Sequence, residues 1–102
     1  MKPAVILSTY PDQETADMAA DRMVRGRLAA CANMLEIRST YVWQEKIEKA
    51  PEFLIIFKTT QARKEDLKER IRKTHPYKVP EIMELGVSSI NEPYLKWLLD
   101  ST

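Results

Sequence analysis

A histidine, two prolines and a carboxylate fall within one short segment of this chain: His75-Pro76-Tyr77-Lys78-Val79-Pro80-Glu81-Ile82. Proline fixes its own φ and drives the residue before it out of the helical region. His75 and Val79 are therefore extended, and the imidazole and the Glu81 carboxylate have few directions open to them. A nitrogen donor and an oxygen donor on a stiff backbone are what a small polar site needs. A helix stop followed by strand entry would account for Pro76 equally well. The chain holds one histidine and one cysteine, Cys31. Together they cannot close a zinc site, and a lone cysteine excludes an intrachain disulfide framework.

The 102 residues are enough for one domain, 1–102, with an ordinary core. A net charge of +1 offers no global basic face for nucleic acid. The apolar stretch Ala4 to Leu7 is too short for a signal segment or a membrane span, so a soluble cytoplasmic protein with no membrane partner is expected. No repeat, linker or low-complexity tract interrupts the chain.

The elements that must position His75 and Glu81 are legible from patterning. Strands are expected near Pro3–Thr9, Cys31–Trp43, Lys46–Thr59 and Ile82–Ser88. The second alternates, with Leu35, Ile37, Tyr41 and Trp43 on one face and Glu36, Arg38 and Thr40 on the other. Asp12 is placed to cap a first helix whose apolar stripe is Ala16, Ala19, Ala20, Met23 and Val24, with Gly26 where a C′ glycine is expected. Thr59 or Thr60 can cap a second helix running to about Thr74, mainly apolar at Leu67 and Ile71. Its i, i+4 charge pairs read as a solvated face. Asn91 caps a closing helix carrying Tyr94, Leu95, Leu98 and Leu99, with Pro93 tolerated in its first turn.

The order β-α-β-β-α-β plus a short C-terminal helix gives an α+β, ferredoxin-like sandwich, with both helices on one face of an antiparallel sheet. The other sheet face is then bare. Yet Val5 to Leu7 and Phe53 to Phe57 are apolar without alternation, as in a sheet covered on both sides. A second copy of the chain is the simplest cover. The central hairpin is also longer than a ~5–6-residue strand pair needs, so its tip should pack on a neighbour. Tyr41 and Trp43 there, with Phe53 and Phe57 on the third strand, are the expected interface residues.

These residues carry a resemblance. Leu28-Ala29-Ala30-Cys31-Ala32-Asn33 enters the second strand, Tyr41-x-Trp43 closes the hairpin, and Lys58-Thr59 ends the third strand. His75-Pro76-Tyr77, Val79-Pro80-Glu81-Ile82 and Tyr94-Leu95-x-Trp97-Leu98 follow in order. The chain resembles the CutA family of divalent-cation tolerance proteins over nearly its full length. The resemblance implies a compact homotrimer, similar in architecture to PII-type signalling proteins. It also implies a non-enzymatic role in the response to copper and other divalent metals. One departure stands out: a glycine is usual two positions after the hairpin-tip tryptophan, and here it is Glu45. A turn needing φ > 0 would strain that residue.

The same resemblance singles out Cys31, His75 and Glu81 as a possible metal-contacting trio. A thiolate and an imidazole suit copper in either oxidation state, and a carboxylate suits harder ions. The structural alternatives are a small buried cysteine, a hydrogen-bonding histidine at a helix end and a strand-edge charge. Three other classes fit less well. An RNA-binding sheet needs glycines and basic residues around its third-strand aromatics, which Phe53 to Phe57 lacks. A ferredoxin-like copper chaperone needs two cysteines in a loop. A cysteine hydrolase needs Cys31 beside His75 and an oxyanion hole. The stronger rival is a PII-like sensor, binding a small ligand in trimer clefts and contacting a protein partner through its hairpins.

Overall fold

The computed structural model describes residues 2–102. In chain order the elements are β1 (Pro3–Tyr10), α1 (Gln13–Arg25), β2 (Cys31–Trp43), β3 (Lys46–Thr60), α2 (Lys64–Thr74), β4 (Met83–Leu85) and α3 (Glu92–Asp100). The four strands form one antiparallel sheet in the order β2-β3-β1-β4. This is the expected α+β sandwich, with β1 in the centre although it comes first in the chain.

Strand alternation decides which residues meet the helices. Ile6 and Tyr10 of β1 and Ile55 and Phe57 of β3 point to α1 and α2, where they bury with Ala16, Ala19, Met23, Leu67 and Ile71. Phe53 packs against this cluster and Phe57 is wholly inside it. The assignment of Phe53 and Phe57 to an interface between chains is therefore corrected: period two turns both toward the chain's own core. The second face is set by the partners in register, Val5 and Leu7 with Ile56 and Lys58, then Cys31, Leu35 and Ile37 from β2. Met83 and Leu85 of β4 join them.

That face is not bare. Lys58 emerges on it, and its ammonium lies 5.9 Å from the centre of the Tyr94 ring on α3. Leu98 of the same helix is buried outside the main core cluster. The C-terminal helix thus covers one end of the second sheet face, and the expectation that no element was left to cover it is corrected. Leu35 (44% exposed), Met83 (51%) and Leu85 (45%) remain in the open.

Several boundaries shift for local reasons. Asp12 caps α1 as expected, its Oδ1 accepting from the Thr15 amide at 2.8 Å. Gly26 has φ −77, and Arg27 at φ 59 takes the left-handed position instead. The closing turn sends the amides of Leu28 and Ala29 back to the Met23 carbonyl. Thr59 and Thr60 do not cap α2: both are buried in the ladder, where Thr60 pairs with Pro3. The helix starts at Lys64 behind Arg63, with no side-chain cap. Asn91 sits at the N-cap of α3, but its side chain makes no capping bond. The last strand shrinks to Met83–Leu85, flanked by Pro80, which has no N–H for a ladder, and by Gly86. At the hairpin tip Trp43 pairs with Lys46 across Gln44 and Glu45, whose φ values are 50 and 66. This is a two-residue turn in the left-handed region, and the strain expected at Glu45 is shared with Gln44.

Candidate functional site

The Pro76–Glu81 segment crosses the sheet end where the central hairpin leaves the body of the protein. Between them lies a groove of about 780 Å³, walled by Leu7, Ile37 and Leu54 below, Tyr41 and Trp43 on the hairpin side, and Tyr77 and Val79 opposite. Its polar groups include Thr9, Glu52 and Glu81. This volume is in the range of small-ligand sites. The wall segment is tethered just downstream, because Glu84 of β4 accepts from Lys64 at 2.9 Å and Lys68 at 2.6 Å on α2. These two ammonium groups, Lys68 first, hold the Glu84 carboxyl below the usual carboxylate range.

His75 is placed by the end of α2, for which it is the C-cap, and by a stack on Tyr10 with ring centres 4.2 Å apart. Its two nitrogens are both engaged. Nε2 lies 2.8 Å from the Thr9 carbonyl oxygen, and Nδ1 lies 3.0 Å from the Tyr77 amide nitrogen. A carbonyl can only accept and an amide can only donate, so the ring is the neutral tautomer with its proton on Nε2. Burial lowers its pKa below the ordinary value, opposed by the Thr9 bond and the charge on Glu52. Tyr10 beneath it is neutral too: burial pushes its phenol up to about 12, with Ser8 and Arg22 acting in the opposite sense.

Tyr77 turns the other way. Its hydroxyl donates to Glu52 Oε2 at 2.7 Å. Burial first, then that bond and the Glu52 charge, raise the Tyr77 phenol above the normal tyrosine range, so it stays a donor. Glu52 itself is 9% exposed. It forms none of the ion pairs found among the described residues. Sequence reasoning passed over this residue. Its signal was a lone acid between Pro51 and the apolar run Phe53 to Phe57, at the register position opposite Ile37.

The trio of Cys31, His75 and Glu81 is not assembled within one chain. Cys31 is half-buried on the second sheet face, paired in register with Lys58 and 3.5 Å from Asn33 Oδ1. His75 is tied to Thr9, which pairs with Leu54. Four residues of β3 separate these levels, about 13 Å along a strand. Glu81 opens onto the groove, whereas His75 is not part of its lining. Among the described residues no three His, Cys, Asp or Glu side chains converge on a common point. Cys31 and His75 are also too far apart to act as a thiolate–imidazole pair.

Comparison with known proteins places these features in a family context. The family profile of the CutA1 divalent ion tolerance protein matches residues 4–101. The divalent-cation tolerance protein CutA of Pyrococcus horikoshii is 44% identical over 98 residues, covering 96% of both chains. The protein of the same name from Thermotoga maritima is 39% identical over 97 residues, covering 95% of this chain and 96% of that one. Among solved structures, CutA1 from Pyrococcus horikoshii superposes with a TM-score of 0.94 at 42% identity, over 97% of each chain. The divalent cation tolerance protein from Thermus thermophilus superposes with a TM-score of 0.93 at 40% identity, over 98% of each.

Proposed function

This chain belongs to the CutA1 divalent ion tolerance family, and from that premise we propose that it is a non-enzymatic homotrimer of the reducing cytoplasm that binds copper weakly and contributes to tolerance of divalent metals. The observation that carries the oligomer is the second sheet face. Leu35 on one edge strand and Met83 and Leu85 on the other remain about half exposed there, and Tyr41 and Trp43 extend the same face along the hairpin. Large apolar side chains left open across one sheet face mark an interaction site. Each 100 Å² of such surface covered by another copy is worth roughly 2.5 kcal/mol.

Copper contact is assigned to Cys31, Glu81 and His75, with roles that differ by geometry. Cys31 and Glu81 lie at opposite ends of the second face, so one ion can take both only between copies of the chain. His75 can join only by releasing the Tyr77 amide or the Thr9 carbonyl. The test is a copper titration of the purified oligomer beside light scattering. Cys31→Ser and Glu81→Gln should each weaken binding, and the double variant should lose little more than the worse single one if both touch one ion. Additive losses would mean two unrelated sites. Unchanged affinity in both variants, or a clean monomer in scattering, would overturn the corresponding part of the proposal. The PII-like reading, a small-ligand sensor, is favoured by one observation: the groove beside Tyr77 is a formed cavity.

A further inference from the structure

The second sheet face carries little charge, and strand register says where that charge lies. β1, β2 and β4 turn no acid and no base toward it, whereas β3 turns Lys46, Glu48, Glu52 and Lys58. Lys58, at one end, lies against the Tyr94 ring of α3. Glu48 is exposed on the hairpin, where water solvates it. Glu52 differs from both. Its own chain already leaves it only 9% exposed, and the bond from the Tyr77 hydroxyl satisfies one of its two oxygens. Another copy laid over this face can only bury it further. A carboxylate taken out of water is costly unless it is paired as well as hydrogen-bonded, so the copy that covers Glu52 must bring the cation.

Resting on the oligomer proposed above, we infer that Glu52 is paired in the assembly with Lys46 of the partner subunit, so that the hairpin tip of a second copy completes the groove. The choice of cation follows from face and reach. Lys46 stands opposite Trp43 at the closing turn, exposed and on the same face of the hairpin as Glu52. It belongs to none of the ion pairs found among the described residues. Six residues of β3 separate it from Glu52, about 20 Å along a strand, so one chain cannot join the two. Arg38 and Lys49 lie on the opposite face of the hairpin. Lys78, exposed on the rim of the groove, is the rival from within the chain. Glu81 lines the same groove and makes it more negative, which favours an incoming ammonium group. A tip laid in the groove of the next copy is a head-to-tail contact, the kind that closes a ring of subunits.

The experiment has two arms. In a Cys31→Ser background, which leaves no native thiol, chains carrying Lys46→Cys are mixed with chains carrying Glu52→Cys, reassembled from urea and treated with a short bismaleimide. Covalent dimers should appear in the mixture and in neither variant alone. In the second arm, light scattering at a fixed urea concentration gives the protein concentration at which the oligomer half-dissociates. Lys46→Met should raise that concentration at least about tenfold, because it strands the buried Glu52. Adding Glu52→Gln to Lys46→Met should recover most of the loss, since the partnerless charge is then gone too. Lys78→Met should leave the assembly unchanged. An intact oligomer that gives no cross-link in the mixture, or in which Lys46→Met and Glu52→Gln act additively, overturns the pairing and leaves the oligomer standing. Coupling of Glu52 to Lys78 overturns it in favour of a countercharge from the same chain. A parent that scatters as a clean monomer overturns the oligomer and the pairing together.

Discussion

Replacing His75 by phenylalanine separates a structural imidazole from a metal ligand. The phenyl ring can keep the stack on Tyr10, so little apolar contact is lost. Both polar functions disappear: the donation to Thr9 at 2.8 Å and the acceptance from the Tyr77 amide at 3.0 Å. A typical hydrogen bond contributes about 0.5–1.5 kcal/mol, and leaving a buried partner unsatisfied costs about 1–3 kcal/mol. The Thr9 carbonyl belongs to a residue that is only 8% exposed, so it pays nearly the full penalty. The Tyr77 amide, on a half-buried loop residue, can be rescued by water. The expected destabilisation is therefore about 2–4 kcal/mol. The assay is urea unfolding at one fixed protein concentration, with a chelator present, because oligomer stability depends on concentration. His75→Gln, which can still donate to Thr9, should lose about half as much. A loss below about 0.5 kcal/mol in His75→Phe, accompanied by lost copper affinity, would refute the reasoning and make the imidazole a ligand instead.

Three further outcomes follow from the same geometry. Phe57→Ala should cost about 3–5 kcal/mol with the assembly intact, while Leu35→Glu should dissociate it with little harm to the protomer core; denaturation and light scattering on both variants check this. Glu45→Gly should raise stability by about 1 kcal/mol, seen as a shifted denaturation midpoint without a change in slope, because glycine accepts φ 66 without strain. Stability should fall as pH drops below about 6.5, since His75 has a lowered pKa when folded and the unfolded chain takes up the proton first. The imidazole contribution is complete above the unfolded value and lost on going down toward the folded one. His75→Phe should flatten that part of the stability–pH curve.

The strands and helices were legible because their signals are local. The alternation from Leu35 to Trp43, the Asp12 cap and the helical spacing from Ala16 to Met23 each act within a few residues. Faces were harder. The unbroken apolar run Phe53 to Phe57 hides which residues meet the helices, and only the register with β1 turns Phe57 inward and Leu54 outward. The covering role of α3 was hidden for a similar reason, because nothing in Tyr94 to Leu98 states which sheet face it will find. At the site, the His75 to Glu81 segment was correctly singled out as stiff. Its chemistry was not readable, since the partners of His75 and Tyr77 are Thr9 and Glu52, 66 and 25 residues away. Glu52 was missed because one acid in an apolar strand looks like a charge at an edge.

The position of β1 has a kinetic consequence. The first strand of the chain lies between β3 and β4, so its pairing must wait for residues Phe53–Thr60 and Met83–Leu85. The long β2–β3 hairpin closes over a two-residue turn and can form alone. Loop-closure entropy therefore favours an order in which the hairpin comes first, β1 docks on it, and the three-residue ladder of β4 comes last. In pulse-labelled hydrogen exchange, amides of Leu35 and Leu54 should gain protection ahead of those of Ile6, with Met83 and Leu85 trailing. Because the Pro76–Glu81 wall is held between α2 and β4, the groove would be the final part of the molecule to take shape and the first to open on the way back.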